Sequence, residues 1–125
     1  MPQVIGLVGI FFKCKDPEKL KVWYQEHLGI SGEYGVIFSW KDQVEKQSNA
    51  YTLFTPFKND TDYFAPSEKS FMFNFVVDDL KSMLAKLKSE GVEVLGEIEE
   101  YDYGKFGRIM DPEGNKIELW EVVKE

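Results

Sequence analysis

A repeat with a period of about half the chain limits what this sequence can fold into more than any other feature. Asp16 and Asp79 lie 63 residues apart, as do Leu20 and Met83, and Tyr24 and Leu87. The glycines that close the two helical stretches, Gly29 and Gly91, are offset by 62, and each precedes a β-branched residue, Ile30 or Val92. Each copy opens on a β-rich run, residues 4–15 or 71–77. In the second of these Phe71, Phe73, Phe75 and Val77 alternate with Met72, Asn74 and Val76. Asp16-Pro17-Glu18 then supplies an N-cap, a proline at the first helical position and early negative charge. Leu20, Trp23, Tyr24 and Leu28 form one apolar stripe; Leu80, Met83, Leu84 and Leu87 form the other. Short β-like runs follow at 35–40 and 51–56 in the first copy, and at 92–98, 106–110 and 116–122 in the second. Neither copy can bury both its helix stripe and its sheet face alone, so the expected fold is one core shared by the pair. The fold class is α+β: two βαβββ modules, about 1–60 and 70–125, in one domain of 125 residues.

The helix openings and the closing DPEGNKIELWE, residues 111–121, carry a family signature. Together with the two modules they resemble the vicinal oxygen chelate superfamily: glyoxalase I, bleomycin-resistance proteins and extradiol dioxygenases. The resemblance implies eight strands curled into a cup, as one mixed sheet with the helices outside. In metal-dependent members it implies four cup-facing ligands to a divalent ion, from the first and last strands of each module. The ligand-equivalent positions here are Gly9 and Met72, seven residues before Asp16 and Asp79, then Glu118, and a position near Thr52 or Leu53. Glycine has no side chain to offer, and a thioether is a poor ligand for hard or borderline ions. One ligand of four remains, so no metal site and no cofactor are expected.

Elementary chemistry points the same way, since catalytic zinc generally takes three protein ligands and a facial-triad iron site needs two histidines. The chain has one, His27, placed at a helix end away from the cup, where the helix dipole favours it. Cys14 shares parity with Val8, Ile10 and Phe12 and reads as a small core residue. A single cysteine forms no intrachain disulfide, no secretion leader is visible, and no apolar run approaches the roughly 20 residues of a membrane span, so a cytoplasmic location is expected.

With the sense of the cup set by Glu118, alternation places Gly9, Phe11 and Lys13 on its face. Met72, Asn74 and Val76 join them, as do Lys116, Glu118 and Trp120. An aromatic and apolar concavity with a few polar groups is the usual make-up of a small-molecule site. The candidate ligand-binding residues are Phe11, Met72, Asn74, Glu118 and Trp120, with Glu118 also the candidate general base. Asn74 would need a partner among its apolar neighbours, and the two lysines could be solvated at the rim. The segment 61–67 (TDYFAPS) is either a lid over the cup or a connector tied down by Tyr63 and Phe64; 99–106 is either part of the cup mouth or a solvated loop.

Fifteen Lys and Arg against 22 Asp and Glu give a formal charge of −7, which disfavours a nucleic-acid partner. The same balance would suit a cationic guest. The leading expectation is a metal-independent protein that binds a small organic ligand. It would act as a homodimer, because family members cover sheet edges by pairing subunits. The alternative is an enzyme of the same superfamily, a lactoylglutathione lyase-like lyase or isomerase, or a dioxygenase.

Overall fold

In a computed structural model of the chain, residues 10–32, 38–46 and 49–123 are described. They form three helices and four strands: α1 (Pro17–Leu28), α2 (Trp40–Lys46), β1 (Phe73–Val76), α3 (Leu80–Ser89), β2 (Val94–Tyr101), β3 (Gly104–Met110) and β4 (Lys116–Val122). The strands make one mixed sheet in the order β1-β4-β3-β2, with β1 parallel to β4 and the other pairs antiparallel. Residues 73–122 therefore run in the order β-α-β-β-β.

Both long helices begin where their capping chemistry dictates. The Asp16 carboxylate accepts the Lys19 N–H at 3.1 Å, and that of Asp79 accepts the Ser82 N–H at 3.0 Å. Helix α3 gains a second cap from the sheet, since Glu121 accepts the Leu80 N–H at 2.8 Å. Gly29 ends α1 at φ 71°, a left-handed conformation that costs glycine nothing.

The core lies between the helices and one face of the sheet. Leu20 and Tyr24 from α1 and Leu80 and Leu87 from α3 pack with Phe73, Ile109, Ile117 and Leu119, all buried. Gly107 makes close approach possible: a β-carbon there would stand 2.7 Å from the Leu84 methyl. Cys14 and Phe12 join this side, with the Phe12 ring 4.7 Å from that of Phe73, while Phe11 and Lys13 are exposed. Alternation does not carry through this stretch: residues 10–15 form no strand, and Phe12 is itself 40% exposed. Ile10, expected with Phe12 and Cys14 on the helix side, is exposed and lines the cleft on the other face of the sheet.

The DPEGN turn fastens the second half of the chain to helix α1 and the residues just ahead of it. Buried Asp111 accepts the Asn115 and Glu113 N–H groups, each at 2.9 Å, and the Asn115 amide at 2.7 Å. The Tyr24 hydroxyl of α1 donates to it at 2.8 Å. Burial and the Asp111 charge push the Tyr24 phenol far up, so it stays protonated and donating. Glu113 in turn accepts the N–H groups of Lys15 and Asp16 at 3.1–3.2 Å, just ahead of α1.

The first module departs from expectation. Trp40 opens a helix instead of ending a strand, because residues 40–46 (WKDQVEK) are mostly good helix formers with Asp42 in the first turn. Residues 51–56 are exposed and form no strand. The described sheet accordingly has four strands, not eight. Half of the expected strand over 4–15, with Gly9, and half of that over 35–40 lie outside the described residues.

Candidate functional site

The face of the sheet turned away from the helices lines a broad, open cleft of about 1880 Å³, to which residues 50–59 and 61–72 also contribute. Register puts one row of side chains across its floor: Asn74 is opposite Glu118 on β4, and Glu118 is opposite Arg108 on β3. A second row pairs Val76 with Trp120 and Trp120 with Phe106.

Glu118, 7% exposed, is the hub. Its Oε2 accepts the Arg108 Nε–H at 3.0 Å and the Tyr63 hydroxyl at 2.7 Å. Arg108 continues outward, donating from Nη2 to the Tyr63 hydroxyl at 3.3 Å and from Nη1 to Glu99, to which Tyr101 also donates. Glu99 reaches the guanidinium because β2 carries an irregularity between Leu95 and Glu99, with Gly96 at φ 67° in the bend. The charges tune one another. The Tyr101 hydroxyl and Arg108 hold the Glu99 carboxyl below its usual range. Burial works against the Arg108 charge, but the Tyr63 hydroxyl and Glu118 outweigh it and raise its pKa. Tyr63 is raised by burial and by its bond to Glu118.

Lys116 is not a solvated rim residue. It is buried, with its ammonium on the carbonyls of Tyr63 at 2.7 Å and Ala65 at 3.0 Å. Burial and the nearby Arg108 charge lower its pKa. These bonds, with Ser67 Oγ donating to the Gly114 carbonyl at 2.6 Å, hold 61–67 as a strap along the β4 side of the cleft. Of the two readings its sequence allowed, these ties make it a connector, and its residues line the cleft. Residues 99–106, the other two-way segment, form the β2–β3 hairpin, whose Tyr101 and Tyr103 line the cleft.

Beyond the charged row the cleft is aromatic. Phe106 and Trp120 lie parallel, 5.9 Å apart at 2°, and the Tyr51 ring meets Trp120 edge-on at 4.9 Å. The Trp120 indole N–H donates to the Tyr103 carbonyl at 3.0 Å, which fixes its orientation.

Of the residues singled out from sequence, Glu118, Trp120, Asn74 and Met72 all line this cleft. Asn74 is exposed, so its amide does not face the burial penalty that the sequence argument assigned to it. Phe11 is fully exposed and lies outside the lining. Arg108, Tyr63 and Glu99 were not singled out for the site. The signal for Arg108 was present: it and Glu118 stand five residues either side of Glu113, the middle of the turn, so a regular hairpin sets opposite charges face to face.

A family model, the Glyoxalase/Bleomycin resistance protein/Dioxygenase superfamily, matches residues 6–119. The chain belongs to this superfamily. Solved structures agree on the fold. A protein of unknown function from Agrobacterium tumefaciens superposes with a TM-score of 0.61 at 19% identity, covering 97% of each chain. TnmS3, an antibiotic binding protein from Streptomyces sp. CB03234, gives 0.59 at 23% identity, over 98% of this chain and 100% of its own. A protein from the mobile metagenome of V. Pseudocholerae gives 0.58 at 16%, over 99% of both. Two further structures, a superfamily member from Sphaerobacter thermophilus and a conserved domain protein, are matched over only 40% and 47% of their own length. No curated protein sequence matches the chain.

The superfamily's metal-dependent members prompt a test of the donor set. Gly9, Met72 and the Thr52–Leu53 position offer no carboxylate or imidazole. Glu118, the one remaining ligand type, already holds a guanidinium 3.0 Å away, a fixed positive charge where a cation would need to sit. Among the described residues no three His, Cys, Asp or Glu side chains converge. These residues do not fit a divalent ion.

Proposed function

We propose that this superfamily member is a metal-independent binding protein that holds a small aromatic molecule in the cleft. One observation carries the reading: at the family's ligand position Glu118 is engaged by Arg108 and Tyr63, beside the parallel Phe106 and Trp120 rings. The charged row then orients a guest, and the aromatic row supplies contact area. TnmS3, of the same fold, is by its description an antibiotic binding protein, which supports the same kind of role.

The −7 net charge drew attention to cationic guests, but the cleft floor is balanced. Arg108 and Lys116 stand against Glu118 and Glu99, so a neutral guest with a polar edge suits it better than an ion. The finer architecture, an eight-stranded cup of two βαβββ modules in a chain that pairs as a homodimer in the cytoplasm, belongs to the same proposal. The β1 and β2 edges of the described sheet are what subunit pairing would cover. Among the described residues no helix is long and apolar enough to cross a membrane.

The direct test is binding of a neutral naphthyl probe by titration calorimetry. Trp120→Ala should weaken any such probe by about 1–2 kcal/mol, roughly tenfold, whatever its substituents. Unchanged affinity would remove the aromatic row from the site. Elemental analysis of the dialysed protein should find no stoichiometric Ni, Zn or Fe; about one per chain would contradict metal independence.

A further inference from the structure

The Tyr63 side chain shows what chemistry the floor of the cleft accepts. Its hydroxyl donates to Glu118 Oε2 at 2.7 Å while accepting from Arg108 Nη2 at 3.3 Å. Its ring has the Lys116 ammonium 5.2 Å from its centroid and Phe57 stacked on it at 5.5 Å and 20°. Every feature of a phenol is therefore matched by a partner: the O–H by a carboxylate, the oxygen lone pair by a guanidinium, the ring face by a cation and an aromatic neighbour.

We infer that this corner of the cleft is a subsite for a phenolic hydroxyl, occupied here by Tyr63 of the strap, and that the guest is a neutral hydroxyaryl compound that displaces it. The inference rests on the binding role proposed above and names the class of ligand.

Glu118 and Arg108 stand on neighbouring strands in the middle of the sheet and are 10% and 12% exposed in their side chains, so the receiving groups are fixed. Tyr63 stands outside the sheet and is 39% exposed. The strap's other ties, Lys116 to two carbonyls and Ser67 to Gly114, do not use the Tyr63 hydroxyl. Its side chain can therefore leave while the strap stays attached. Other guests fit the same atoms less well. An aryl carboxylate would meet Glu118, an ammonium would meet Arg108, and an aryl ether has no proton for Glu118. The guest phenol stays protonated for the reason Tyr63 does: burial and the neighbouring carboxylate both disfavour a phenolate.

The experiment titrates 2-naphthol and 2-methoxynaphthalene, matched except for the O–H, into the full chain and into Tyr63→Ala, Tyr63→Phe and Glu118→Gln, each checked as folded by circular dichroism. Tyr63→Ala should raise the preference for the naphthol over the ether by about tenfold, since a charge-assisted hydrogen bond is released to the guest. Tyr63→Phe keeps the ring but frees the carboxylate, and should move the preference the same way by roughly threefold. Should the alanine variant fail to fold, the phenylalanine variant decides alone. Glu118→Gln, which leaves only a neutral acceptor, should cut the preference by about tenfold. Equal tightening of both probes in the Tyr63 variants would overturn the phenol subsite and leave a general aromatic site standing. Failure of both probes to bind any variant would overturn both the subsite and the binding role.

Discussion

Strand β4 has two faces, and they differ in kind. Toward the helices it presents Ile117 and Leu119, at most 1% exposed and packed with residues from α1, α3 and β1. Toward the cleft it presents Lys116, Glu118 and Trp120, each held by specific polar or aromatic partners. The apolar face is satisfied by any well-shaped neighbour, and its worth is burial. The cleft face is a set of directed bonds among charges and rings, expensive to desolvate and of small net benefit to stability. A protein that needed β4 only as a core strand would have no use for the second arrangement, which is why the cleft is read as the working surface.

The contrast breaks if the two faces respond alike to substitution. Leu119→Ala removes a fully buried side chain and should destabilise the fold by about 2–5 kcal/mol in urea denaturation. A loss well below 1 kcal/mol would mean that the helix face is not the core. Next comes the turn that fixes which face β4 turns where. Tyr24→Phe deletes the hydroxyl that α1 donates to buried Asp111 and should cost about 1–3 kcal/mol without changing the fold. A neutral outcome would show that the turn holds its geometry without the first module.

Most of the helix face was legible in sequence, and less of the cleft. The caps Asp16 and Asp79, the stops at Gly29 and Gly91, and the parity of Phe73 and Glu118 follow from local rules that need no neighbours. Parity also brought Met72, Asn74, Glu118 and Trp120 to one surface. The first module resisted because 40–46 satisfies helix propensity as well as strand, and 51–56 has its outcome decided by whether a neighbouring strand pairs with it. Tyr63 was named only as an anchor of the connector, and its partner was hidden for a different reason. Its contact with Glu118 spans 55 residues and depends on where the strap is tied, which no periodicity encodes.

The central claim is that the cleft face of β4 serves binding and the opposite face serves stability, and Glu118→Gln tests it most directly. The amide keeps the shape and can still accept from Arg108 and Tyr63. The account predicts a loss of stability below about 1.5 kcal/mol, because Arg108 retains Glu99. The same variant should bind 2-naphthol about tenfold more weakly than the parent chain. Unfolding of Glu118→Gln at the level expected for Leu119→Ala, with naphthol affinity unchanged in the protein that remains folded, would make Glu118 a structural anchor and contradict the assignment of the two faces.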